Sequence, residues 1–126
     1  MTKHEKINYI ELPAFNIEAT KTFFQNSFAW KFTDYGPDYS AFNDGFIDGG
    51  FFKADLKSIA KNGSALIVLY SEDLESTEKK VAGNGGEISV PIFSFPGGRR
   101  FHFIEPSGNE FAVWSDKDSN KQIISE

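Results

Sequence analysis

With 126 residues and 14.1 kDa, the chain has room for one domain, or for two very small modules sharing a core, and none for a separate regulatory domain. Its 13 Lys and Arg against 18 Asp and Glu leave a formal charge of −5, which, with no long basic run, argues against nucleic acid or an anionic membrane surface as partner. A 40% hydrophobic content with 14 Phe supplies a core, and zero Cys excludes disulfides, thiolate metal ligands and Cys nucleophiles. No stretch has the form of a signal peptide or approaches about 18 consecutive apolar residues, so a cytoplasmic protein is expected.

The first strand-like run is Ile7-Asn8-Tyr9-Ile10-Glu11-Leu12. Asn16 then offers a helix N-cap, because a short side-chain oxygen accepts a bond from an orphaned backbone N–H, and Glu18 sits in the positive first turn. The spacing predicts a helix to about Phe28 with Ile17, Phe24 and Phe28 on its buried stripe. Three short aromatic segments follow, separated by turn residues: Trp30 to Thr33, Tyr39 to Phe42 and Asp48 to Phe52. A polar connector spans residues 55–63.

The order then repeats. Asp73-Leu74-Glu75-Ser76-Thr77 matches Asn16-Ile17-Glu18-Ala19-Thr20 at an offset of 57 positions, and Ser64 to Tyr70 precedes it as Ile7 to Leu12 precedes the first. The second helix carries a thinner stripe, Leu74, Val81 and Ala82, before Gly83, Gly85 and Gly86 end it. Strands are expected over Glu87 to Val90, Arg100 to Ile104 and Glu110 to Trp114. The chain therefore reads as a single α+β domain over residues 1–126, made of tandem βαβββ modules at 7–54 and 64–115 with a polar tail at 116–126. Neither half can bury enough surface alone, so the two are expected to pack together.

The segment Gly97-Gly98-Arg99-Arg100-Phe101-His102-Phe103-Ile104-Glu105-Pro106-Ser107-Gly108-Asn109-Glu110 resembles the closing hairpin of the vicinal oxygen chelate superfamily, which includes glyoxalase I, extradiol dioxygenases and bleomycin resistance proteins. Pro106 presets φ in its turn, and Gly108 and Asn109 tolerate positive φ. Glu11-Leu12-Pro13 leading to Asn16, and Phe23-Phe24 leading to Trp30, match the opening of the family pattern, although Ala29 stands where the family usually has Gly, so a local difference at the helix exit is expected. The resemblance implies mixed sheets curling around a shared cleft, commonly in a homodimer. It also implies a divalent metal held by one side chain from the first and last strand of each module. Those positions fall on Tyr9, Leu66, Ala112 and a residue at Asp48 or Gly49. Leu66 and Ala112 carry no ligand atom, and the only His residues are His4 and His102, so no metal and no cofactor is expected.

Strand alternation sends Ile10 and Leu12 under the helix and Tyr9 and Glu11 to the concave side, with Leu66 and Val68 beside them by the offset. Phe111 and Val113 read as core, leaving Glu110, Ala112 and Trp114 at the cleft or its rim. Tyr9, Glu11, Tyr39, Leu66, Val68, Ala112 and Trp114 are thus the candidate lining of a small-molecule pocket. Tyr9, Tyr39 and Trp114 can stack on a planar ligand, or fill core or dimer contact instead. Glu11 and His102 are the candidate acid–base residues. The plainer alternatives are a salt bridge from Glu11 to Arg99 or Arg100 or simple solvation at an open cleft, and a packed or surface His102 within a Phe-rich strand. Gly49-Gly50 is expected to admit a close backbone approach, Arg99-Arg100 to decorate a charged turn, and Glu78-Lys79-Lys80 to form a solvated helix face.

Three functions follow from this reading. The first is a metal-independent protein that binds, sequesters or senses a small molecule. The others are a glyoxalase-like lyase or isomerase, with a metal or using Glu11 or His102, and a dimerisation module without a ligand.

Overall fold

The computed structural model describes residues 2–125. Its elements run β1 (Tyr9–Ala14), α1 (Ile17–Phe28), β2 (Lys31–Asp34), β3 (Tyr39–Asn43), β4 (Asp48–Lys53), a 3₁₀ turn (Ala60–Asn62), β5 (Ile67–Tyr70), α2 (Leu74–Gly83), β6 (Glu87–Phe95), β7 (Gly98–Ile104) and β8 (Glu110–Ser115). Two βαβββ modules result, each forming a four-stranded mixed sheet, sheet A ordered β1-β4-β3-β2 and sheet B ordered β5-β8-β7-β6. In each, the strand before the helix lies parallel to the last strand and stands at the sheet edge. The fold is α+β, and no helix among the described residues is long and apolar enough to cross a membrane.

Both helices begin at the repeated caps: the Asn16 side chain accepts from Ala19 N–H and that of Asp73 from Ser76 N–H. Helix α1 ends as the family pattern does despite the missing Gly, because Ala29 itself adopts the left-handed conformation, with φ 59°. Ala29 N–H bonds to Gln25 O and Trp30 N–H to Phe24 O, so the last carbonyls are satisfied in the manner of a Schellman closure.

One core serves both modules. The Phe24 ring lies 4.3 Å from Trp30, 5.7 Å from Phe51 of β4 and 5.1 Å from Phe111 of β8, so α1 is wedged against the inner faces of both sheets. Phe23 reaches Phe103 of β7 at 5.6 Å. Phe23 rather than Phe28 completes the buried stripe of α1, and Phe28 is half-buried, because the helix faces two sheets and needs a wider apolar arc. On α2, Leu74 and Val81 are buried as expected while Ala82 is exposed.

A polar lock joins the halves. Glu105, buried, accepts from Thr20 Oγ1 of α1, Ser107 N, Asn109 N and Asn109 Nδ2. Asn109 Nδ2 also donates to Pro13 O, and Ser107 Oγ exchanges bonds with Asn16. Gly108 takes the positive φ of the turn, at 94°. Asn109 does not share it, since its side chain is committed to these buried bonds. The connector is also tied down: Ser58 N–H donates to Asn109 Oδ1 and Ala60 N–H to Glu110 Oε1. Beyond β8 the polar tail turns back through a Lys117–Ile123 bridge.

Candidate functional site

Alternation gives each sheet an outward face opposite the Phe core. On sheet A the register sets Lys31, Asn43, Asp48 and Tyr9 in one cross-strand row and Thr33, Ala41, Gly50 and Glu11 in the next. Tyr9 and Tyr39 meet at 2.5 Å through their hydroxyls, and Tyr39 donates to Glu11 Oε2 at 3.0 Å. Since the Tyr39 proton goes to Glu11, Tyr9 is the donor to Tyr39. Burial first, and then the bonds to Tyr9 and Glu11, hold the Tyr39 phenol well above its ordinary range. Gly50 makes the cluster possible, because a Cβ there collides with the Tyr39 hydroxyl; a Cβ at Gly49 collides with the Phe42 ring. Close approach is thus the role of both glycines. Glu11 is exposed and accepts from a phenol, and the alternative of a salt bridge to Arg99 or Arg100 is not formed: Arg99 pairs with Glu75 on the other side of sheet B.

On sheet B the corresponding rows are Tyr70, Trp114, Arg100 and Phe93, then Val68, Ala112, His102 and Val90. His102 Nδ1 lies 2.9 Å from Glu110 Oε2, and the imidazole stacks on Phe93 at 6.1 Å. Burial opposes charge on Glu110, but the His102 bond and the Ala60 N–H prevail and leave its carboxyl below the ordinary range. Ala112 is fully buried and Trp114 half-buried, edge-on to Tyr70 at 5.4 Å.

The two sheets share a seam where the edge strands β1 and β5 approach. A cleft of about 840 Å³ opens there between Ile7, Glu11, Pro13, Leu56, Leu66 and Val68. A second, of about 430 Å³, is walled by Ile10, Trp30, Phe42, Ile67 and Tyr70. Both volumes are in the range that holds small molecules. Of the seven candidate lining residues, the larger cleft gathers Glu11, Leu66 and Val68, the phenol cluster adds Tyr9 and Tyr39 beside it, and Ala112 and Trp114 belong to the face of sheet B.

The side chains do not fit a chelating set. At the four positions implied by the resemblance, the Tyr9 hydroxyl is engaged with Tyr39 and Asp48 with Asn43, while Leu66 and Ala112 offer only hydrocarbon. Among the described residues no three His, Cys, Asp or Glu converge elsewhere. Sequence reasoning named Glu110 at the rim but did not join it to His102. Pairing β7 and β8 outward from the Glu105 to Asn109 turn would have found that contact, since Glu110 is then a diagonal neighbour of His102.

A glyoxylase-like domain-containing protein of Didymella fabae is 29% identical over 126 residues, covering 90% of this chain and 95% of its own. The fold matches the fosfomycin resistance protein FosX of Listeria monocytogenes, solved with Mn(II) and 1S,2S-dihydroxypropylphosphonic acid, at a TM-score of 0.72, 17% identity and coverage of 86% and 88% of the two chains. It matches lactoylglutathione lyase of Agrobacterium tumefaciens at a TM-score of 0.69, 17% identity and coverage of 90% and 96%. A family model spans residues 6–113, and with the paired modules and shared seam described above the chain belongs to the Glyoxalase/Bleomycin resistance protein/Dioxygenase superfamily.

Proposed function

We propose that the chain is a metal-independent member of this superfamily, which binds a small, partly aromatic or amphipathic molecule and sequesters or senses it in the cytoplasm as a homodimer. The observation that carries this reading is the exchange of chelating atoms for phenol and hydrocarbon at Tyr9, Leu66 and Ala112 within a scaffold whose clefts persist. FosX and lactoylglutathione lyase are enzymes on the same fold, so fold alone does not choose between binding and catalysis. A second reading, a lyase or isomerase without metal, is favoured by the His102–Glu110 pair, whose carboxylate fixes Nδ1 and leaves Nε2 as the proton-transfer atom.

Equilibrium dialysis or thermal-shift screening against metabolites and antibiotics tests the proposal. Saturable binding is expected that survives EDTA, and Tyr9→Ala should weaken it by about tenfold through loss of a stacking wall. A stoichiometric divalent ion in the purified protein, or binding abolished by EDTA, overturns it. Turnover that Glu110→Gln abolishes while ligand affinity is kept establishes the second reading.

A further inference from the structure

Arg99 and Arg100 are adjacent in β7 and face opposite sides of sheet B, and the protein uses only one of them. Arg99 is saturated: its Nη atoms grip the Glu75 carboxylate, and Nε and Nη2 donate to Lys117 O. Arg100 makes no hydrogen bond or ion pair with any described residue, and its Nε is buried without an acceptor. What holds it is stacking: its Cζ lies 5.5 Å from the Phe93 ring centre and 6.0 Å from that of Phe95. Cation–π attraction fixes a guanidinium in place but accepts none of its protons. A buried, unpaired N–H is costly, and a planar fork held rigid by aromatic rings is pre-organised for a bidentate oxygen acceptor.

The surroundings leave that position for a ligand. Of the carboxylates on or near this face, Glu110 is used by His102 and Ala60 N–H, and Asp116 and Glu72 by Tyr70 and Lys117; Glu87 lies at the far end of β6, opposite Ile104, and not beside Arg100. Trp114 stands directly opposite Arg100 across β7 and β8, and Phe93 opposite it across β6 and β7. His102 is two residues on, on the same face, with Nδ1 occupied and Nε2 free to add a contact.

We infer that the outward face of sheet B binds the anionic group of an aromatic small molecule, a carboxylate or phosphoryl group held by Arg100, with Trp114 and Phe93 as the wall for its ring. This rests on the small-molecule reading above but uses a surface of sheet B apart from the two seam clefts, and names the charge of the ligand that this surface accepts. Benzoate, phenylphosphonate and neutral benzamide serve as probes in titrations of the full chain followed by calorimetry and Trp fluorescence. One saturable site per chain is expected for an anion, with benzamide at least about tenfold weaker and anion affinity falling as salt rises. The stronger of benzoate and phenylphosphonate distinguishes the two oxygen chemistries. Arg100→Gln should bring anion affinity down to that of benzamide. Arg100→Lys, which keeps the charge but not the fork, should recover only part of it. The benzoate-to-benzamide ratio of the wild type stands even if a variant folds poorly. The inference falls if benzamide binds as tightly as benzoate, or if Arg100→Gln, folded by circular dichroism, retains anion affinity. Binding of neutral aromatics alone sinks the anion assignment and leaves the small-molecule reading in place; no binding of any probe sinks the anion assignment, and failure of the wider metabolite and antibiotic screen sinks the small-molecule reading as well.

Discussion

At the residue scale, Glu105 shows how a buried carboxyl can serve architecture and not chemistry. Its four donors come from α1 and from its own turn, yet burial outweighs them and raises its pKa above the ordinary carboxylate range. Folding then favours the protonated form. The stabilisation is complete below the carboxylate pKa of the unfolded chain and is lost as pH rises through the higher folded value. Chemical denaturation at a series of pH values should therefore show stability declining above the usual carboxylate range. Glu105→Gln should flatten that decline while lowering stability at acid pH by about 1–3 kcal/mol, because the amide cannot accept from all four donors. Glu11, by contrast, stands exposed and accepts a hydrogen bond from Tyr39.

At the element scale, α1 is the most constrained piece, capped at both ends and wedged between two sheets. Its N-terminus was legible in the sequence because Asn16 and Asp73 repeat a local chemical signal. Its exit was not, because Ala29 hides a left-handed turn that the surrounding backbone bonds impose on an unsuitable residue. Ala29 is exposed, so Ala29→Gly relieves the strain without opening a cavity. It should raise stability by about 0.5–1 kcal/mol after the added freedom of the unfolded chain is counted, seen as a melting temperature about 2–5 °C higher in calorimetry. Strand β6 was the other surprise: it runs nine residues through two register shifts and past Pro91, where turn chemistry suggested an end at Val90. A proline is tolerated there because β6 is an edge strand, a position only the assembled sheet reveals.

At the scale of the whole molecule, the repeat disclosed the two modules and their shared core, since periodic apolar residues and a 57-residue offset are local records of a global plan. The candidate site was legible in its parts but not in its pairings. Tyr9, Tyr39 and Glu11 were each named, whereas their meeting depends on the parallel β1–β4 register, and the orphaned Arg100 depends on which face of β7 it takes. The seam between β1 and β5 leaves Ile7 and Leu56 largely exposed beside the larger cleft, an apolar surface suited to a second copy. Sedimentation equilibrium should give the mass of two chains, and Leu56→Asp should raise the dissociation constant by about tenfold or more. The hydrogen bond from Asn109 to Pro13, spanning 96 positions, has a consequence for how the protein is made. Until the final hairpin has left the ribosome, the first helix has only its own sheet to rest on, so the Phe23 and Phe24 surface that meets Phe103 and Phe111 stays open to water while the second module is made.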